Sequence, residues 1–202
     1  MKVEIYIEGG AIDSKELKIR CRRGFSQFVD KLGLEKMPSL NACGGRISAF
    51  NDFSNAYSRI GEDHIVLLWV DSEDLITDIE KTWDHLSSRD GWNQPEGTLD
   101  KSVLLMSTCM ETWCVADRTA LDAHYGHKLQ KSALPSLANL ETRDRHKLRD
   151  ALEHATRNCS NQFQKGKRSF ELLGKISPEA VSTVCPSANR CVNILRQRCG
   201  VK

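Results

Sequence analysis

A chain of 202 residues, 40% hydrophobic and 28% charged, has the composition of a globular domain able to bury a sizeable core without disulfides or a structural metal. Its net charge of +2 excludes an overall polycationic protein, so any nucleic-acid surface has to be local. The stretch MKVEIYIEGG does not read as a signal or transit peptide, and no window approaches the roughly 18 to 20 apolar residues of a spanning helix; a soluble, cytoplasmic protein without membrane contact is expected.

The first β-rich run, VEIYI (Val3 to Ile7), ends at Glu8-Gly9-Gly10, where glycine permits a tight turn and close backbone approach. After a polar segment, FSQFVDKLGL places Phe25, Phe28, Val29 and Leu32 on one helical face, with Gly33 as a stop. LNACGG reads as a second strand and turn, and ISAFNDFSNAYSRI as a helix through Ile47, Phe50, Phe53, Ala56, Tyr57 and Ile60. A continuous apolar run from Ile65 to Val70 then forms a third strand. The spacing of Leu75, Ile79, Trp83 and Leu86 predicts a helix from Leu75, SVLLMST a fourth strand, and METWCVADRTALDAHYG one further helix ending near Gly126.

From Lys131 onward the strand signal fades, and DRHKLRDALEHAT, KGKRSFELLGKI, a short helix opened by Pro178, and ANRCVNILRQRC all read as helical. The strand–helix alternation predicts an α/β fold with a mainly parallel sheet of about four strands flanked by helices. Residues 1–130 would form the α/β core, and residues 131–202 a helical extension packed on it.

Three of the predicted strands lead into acids: Glu8 after the first, Asp71 and Glu73 after the third, and Glu111 after the fourth. In an open parallel sheet, ligands bind beyond the carboxyl ends of the strands. Carboxylates crowded there repel one another, and a divalent cation such as Mg²⁺, which prefers hard oxygen ligands, relieves that repulsion. Asp71 and Glu73, at period-two spacing, would point to one side if the chain stays extended. Acids in these positions equally suit the N-terminal charge of the following helix, and residue types alone leave both readings open.

The segments IYIEGG, VLLWVDSED and METW…ADR, together with RCRRGF, ACGGR, RDGW, HYG and QKGKRSFELL, resemble a Toprim-like family of domains of unknown function that includes the AriB-type effectors of PARIS anti-phage defence systems. The resemblance covers almost the whole chain. It implies a Toprim-like fold and a Mg²⁺- or Mn²⁺-dependent nuclease site, with Glu8 as the first-strand glutamate, Asp71 and Glu73 as the paired acids, and Glu111 as the added acid of the related OLD-type nucleases. It further implies RNA, tRNA among them, or DNA as substrate, an ABC-type ATPase partner, and a homodimer as a candidate active form. Two features depart from the pattern: the pair is Asp71 and Glu73 rather than two aspartates, and the loop after Glu8 lacks the spacing of topoisomerases and primases.

Among basic residues, Arg22 in the cluster Arg20, Arg22 and Arg23, Arg46 after a Gly-Gly turn, and Lys165 in the cluster with Lys167 and Arg168 are the candidate phosphate contacts. The segment Arg89-Asp90-Gly91-Trp92 reads as a helix end, a turn and an aromatic anchor, and Trp83 and Trp113 as core. His124 and His127 sit late in a helix, where a surface or C-terminal charge role is expected. The eight cysteines are scattered with no CxxC, which predicts reduced, buried thiols rather than a zinc site. No Walker A pattern occurs, so ATP hydrolysis would belong to a partner. The rival readings are a non-catalytic interaction subunit of an ATPase complex, in which the same acids cap helices, and a phosphatase or nucleotidyl-transfer enzyme using the same metal.

Overall fold

In the computed structural model, which describes residues 2–11, 13–59, 61 and 63–202, strands and helices alternate through the first half of the chain. The elements are Lys2–Glu8 (β1), Lys15–Asp30 (α1), Ser39–Gly44 (β2), Arg46–Tyr57 (α2), His64–Asp71 (β3), Thr82–Asp90 (α3), Val103–Met106 (β4) and Met110–Ala116 (α4). Five helices follow: Arg118–Tyr125 (α5), Arg145–Thr156 (α6), Lys167–Leu173 (α7), Pro178–Val184 (α8) and Pro186–Cys199 (α9). The four strands form one parallel sheet in the order β2-β1-β3-β4. The protein is thus an α/β fold with a helical C-terminal region.

The unbroken apolar stretch of β3 follows from burial on both faces of a central strand. Leu67 and Trp69 pack with Ile5, Ile7 and Leu104 under α1 and α4, while Val66, Leu68 and Val70 pack with Val103 and Leu105 against α2 and α3. The larger apolar cluster continues into the C-terminal helices through Leu148, Leu172, Val181 and Leu195. There α7 lies on α1 and α9 on β4. Trp83 and Trp113 are both core, and Trp92 stacks on Phe50 at a centroid distance of 4.3 Å just past the left-handed Gly91 that ends α3.

Several element boundaries differ from the sequence expectation. Helix α1 begins at Lys15, where Ser14 caps it by accepting from the Leu17 N–H, so the Arg20, Arg22 and Arg23 cluster lies within the helix and not in a polar segment before it. Residues 72–81 do not form the first turns of α3: Leu75 is exposed and Ile79 only half-buried. The segment stays irregular because Ser72 and Glu73 keep donating to the carbonyls of Met106 and Thr108, and α3 starts only where Asp100 accepts from the Trp83 N–H. The helix expected over Met110 to Gly126 is two, broken at Asp117, whose carboxylate caps α5 through the Ala120 N–H and also accepts from the Ser177 N–H. Strand β4 stops at Met106 rather than Thr108. On α2, Ile47 is exposed and Ala49 and Phe53 carry the burial; Ile60 lies outside the described residues.

All eight cysteines are free and buried. Burial is the main cause that pushes their thiols up, to about 12 for Cys43 and Cys191, which leaves them protonated and poor nucleophiles.

Candidate active site

A cavity of about 360 Å³ opens beyond the carboxyl ends of β1, β3 and β4. Glu8, Asp71, Glu73 and Glu111 all line it, with Lys165 and Ser169 arriving from the C-terminal region. Four acids separated by up to 103 positions therefore share one concavity (111 − 8). The parallel sheet accounts for this: β1 and β3 are neighbours in register and end side by side, and α4 leaves the end of β4 directly after them.

Each acid is held differently. Asp71 ends β3, and its Oδ1 accepts from the Met110 N–H at the start of α4 at 2.8 Å. Burial, reinforced by the negative charges of Glu8 and Glu111, holds its carboxyl well above the ordinary carboxylate range, against the opposing Met110 N–H and Arg46. Glu111 is 2% exposed, and its Oε1 accepts from the Ser169 hydroxyl of α7 at 3.0 Å. Glu8 Oε2 accepts from Arg46 Nη1 at 3.0 Å and from the Asp71 N–H at 3.3 Å.

Glu73 departs from the extended-chain expectation. Its φ of +66° ends the period-two run, a conformation uncommon outside glycine. The residue still borders the cavity, but its carboxylate accepts from Arg89 Nη2 at 3.0 Å and pairs with Arg145.

The basic candidates also separate. Arg46 is not free to meet a phosphate: Nε and Nη2 grip Asp90 at 3.0 and 2.7 Å, Nη1 serves Glu8 and the Asp71 carbonyl, and the guanidinium lies 5.0 Å over the Trp92 ring. Arg22 is exposed on α1 and faces a different depression, shared with Pro38 and Leu40. Lys165 alone of the three lines the acidic cavity without being drawn into an ion pair among the described residues. His124 lies in the last turn of α5 beside Asn161, and His127 is exposed beyond it; neither borders the cavity.

Sequence reading missed Arg89, Arg145 and Ser169 as partners of the acids, and Asp90 as the partner of Arg46. Arg89 and Asp90 were legible only as a helix end, and Ser169 and Arg145 carry no local pattern that points at the acids.

The donor set suits a hard divalent cation: carboxylate oxygens whose mutual repulsion already disfavours ionising Asp71. Among the described residues, no group of three or more His, Cys, Asp and Glu side chains is arranged to hold an ion by itself. Mg²⁺ is commonly bound through one or two carboxylates, with the rest of its shell from water and substrate oxygens, so carboxylates without a protein-built cage are compatible with it. Asp71, Glu111 and Glu8 are the acids that would hold it, Glu8 only on release from Arg46.

A family model described as a domain of unknown function (DUF4276) matches residues 10–196. The matched span includes Asp71, Glu73 and Glu111, and Glu8 lies two residues before it (10 − 8). No curated protein and no solved structure matches the chain.

Proposed function

The chain belongs to the DUF4276 family, and we propose that it is a metal-dependent phosphodiester hydrolase acting on RNA or DNA. The observation that carries this reading is the meeting of Glu8, Asp71 and Glu111 around one cavity, with the Asp71 carboxyl pushed up by burial and by the other two. A bound Mg²⁺ or Mn²⁺ would supply an activated water and charge stabilisation at the leaving oxygen. The chain's own residues do the rest. Asp71 and Glu111 bind, and Ser169 orients Glu111. Arg46 holds Glu8 in place from behind, and Lys165 at the cavity wall faces the phosphate. The resemblance to Toprim-like nucleases, which rests on sequence motifs, supports the same chemistry and adds the biological setting: an anti-phage effector, cytoplasmic and controlled by an ABC-type ATPase partner.

The test joins two measurements on the purified chain. Calorimetric titration with Mn²⁺ is expected to show binding that Asp71→Asn weakens, and Mn²⁺-dependent cleavage of RNA or DNA is expected to vanish in the same variant. Cleavage that survives both chelator and Asp71→Asn removes the mechanism. A panel of small phosphoesters separates a phosphatase. Expression with and without an ABC-type ATPase of the kind found in such defence systems, followed by total RNA and DNA integrity, tests the partner.

One observation favours a second reading, a non-catalytic interaction subunit. Every acid of the cavity already has a protein donor: Arg46 for Glu8, the Met110 N–H for Asp71, Arg89 for Glu73 and Ser169 for Glu111. Absence of Mn²⁺ binding in the titration selects this reading.

A further inference from the structure

A second concavity, about 470 Å³, lies between α1 and α7 and has the opposite charge to the first. Arg20 and Arg23 stand on one wall and Lys167 and Lys175 on the other, with Glu171 the one acid lining it among the described residues. Arg20 is engaged by Glu16 at 2.7 Å, and Glu171 is shared loosely by Arg168 and Lys175 at 3.7 and 3.8 Å. Arg23 and Lys167 make no ion pair among the described residues, and both are exposed. Glu16, within the field of Lys167, is committed to Arg20 first.

The floor of this groove is closed by tight contacts at two glycines, one with backbone and one with a side chain. A β-carbon on Gly24 would stand 2.3 Å from the Phe170 carbonyl oxygen, and one on Gly174 would stand 2.1 Å from Gln27 Oε1. The two helices therefore touch along a glycine seam, and long basic side chains rise on both sides of it.

The groove adjoins the acidic cavity across the buried Phe170. Phe170 borders both, and Leu17 of α1 and Ser169 of α7 face the acids from the same helices. From Leu17 to Arg23 is six residues, about 9 Å along the helix axis. Phosphates repelled by the carboxylates need counter-charge nearby, and an arginine fork with a lysine point charge on facing walls suits a chain of phosphates passing between them.

We propose that the α1–α7 groove is a nucleic-acid backbone site in which Arg23 and Lys167 bind the strand whose scissile phosphate lies at the acidic cavity. Its placement relative to a reaction rests on the hydrolase reading above; its binding of nucleic acid does not.

Fluorescence anisotropy with short fluorescein-labelled single-stranded RNA and DNA oligonucleotides, in EDTA across a salt series, tests the groove. Two phosphate contacts on a single strand contribute about 0.7 each to the slope of log Kobs against log salt. The double variant Arg23→Glu/Lys167→Glu should therefore bind about tenfold or more weaker, with a slope shallower by about 1.4. Arg157→Glu, a single such reversal placed beyond the end of α6, should bind as the wild type does. Far-UV circular dichroism checks folding, and Arg23→Gln/Lys167→Gln is the neutral replacement if charge reversal impairs it. Unchanged affinity and slope in the double variant, or no binding of either oligonucleotide by the wild type, overturns the proposal and leaves an acidic protein surface as the alternative occupant. Groove-dependent binding without Mn²⁺-dependent cleavage keeps the groove and removes the hydrolase. Cleavage with groove-independent binding does the reverse.

Discussion

Arg46 Nη1 donates to the carboxylate of Glu8 at 3.0 Å, and the same guanidinium grips Asp90 with its other two nitrogens. The three side chains are only 13%, 19% and 9% exposed. A sheet-end acid of the cavity is thereby tied to the C-terminus of α3, on the far side of β3. Asp90 passes the connection to Arg89, and Arg89 to Glu73. Glu8, Arg46, Asp90, Arg89 and Glu73 thus form one run of alternating charge, whose two end members line the cavity.

Removing the shared cation should be costly. Arg46→Ala leaves Glu8 largely buried without its charge partner and Asp90 with Arg89 alone, and breaking such a buried pair costs about 3–5 kcal/mol. Arg46→Lys keeps a charge but cannot make the fork, so an intermediate loss is expected. Urea denaturation midpoints of the three proteins check the order wild type, lysine, alanine.

Asp90 makes part of this stability depend on pH. Burial would raise its carboxyl, but the hydrogen bond and charge of Arg46, with the charge of Arg89, outweigh burial and hold it below the ordinary 3.8. A carboxylate depressed on folding stabilises the protein above its unfolded value and stops doing so as pH falls through the folded value. The wild type should therefore exceed Asp90→Asn in melting temperature by a constant margin from neutral pH down to about 3.8, and the margin should shrink below that. Melts of both proteins across this range test the sign; a margin that grows on acidification would contradict it.

Asp71 should show the reverse trade. Its carboxyl is raised by burial, Glu8 and Glu111, so ionising it costs stability in the metal-free protein. Asp71→Asn keeps an oxygen for the Met110 N–H and removes the charge. The variant is expected to be as stable as the wild type or more stable by about 1 kcal/mol in EDTA, the usual pattern for a functional group strained by its site. Thermal melts in EDTA measure this independently of any activity.

Gly24 tests how closely α7 must approach α1. A methyl group there meets the Phe170 carbonyl at 2.3 Å, and backbone cannot swing aside as a flexible side chain can. Gly24→Ala should cost about 1–3 kcal/mol by overpacking. Because α7 also carries Ser169 to Glu111, the variant should weaken Mn²⁺ binding if the hydrolase reading holds. Denaturation and calorimetry on one preparation report both.

Much of this architecture was legible in local pattern. The apolar run of β3, the alternation of strands with 3.6-period helices, and Pro178 at the opening of α8 all signal themselves within a few residues. The failures have local causes too. Leu75 and Ile79 sit at helical spacing, yet Ser72 and Glu73 prefer to continue pairing with the chain after β4, a contact across 34 positions or more that no window contains (106 − 72). Asp117 sits inside an amphipathic pattern but uses its carboxylate to start a new helix.

The residue pattern alone determined that acids would stand at the ends of strands in a parallel sheet, because strand identity and chain direction follow from short-range periodicity and crossover length. Only the tertiary structure decided what each acid faces. Glu8 meets Arg46 across 38 positions, and Glu111 meets Ser169 across 58. Glu73, expected beside Asp71, turns to Arg89 and Arg145 through a positive φ. Such partnerships depend on which helices pack together, and packing is set by the summed burial of many side chains rather than by the sequence around any one of them.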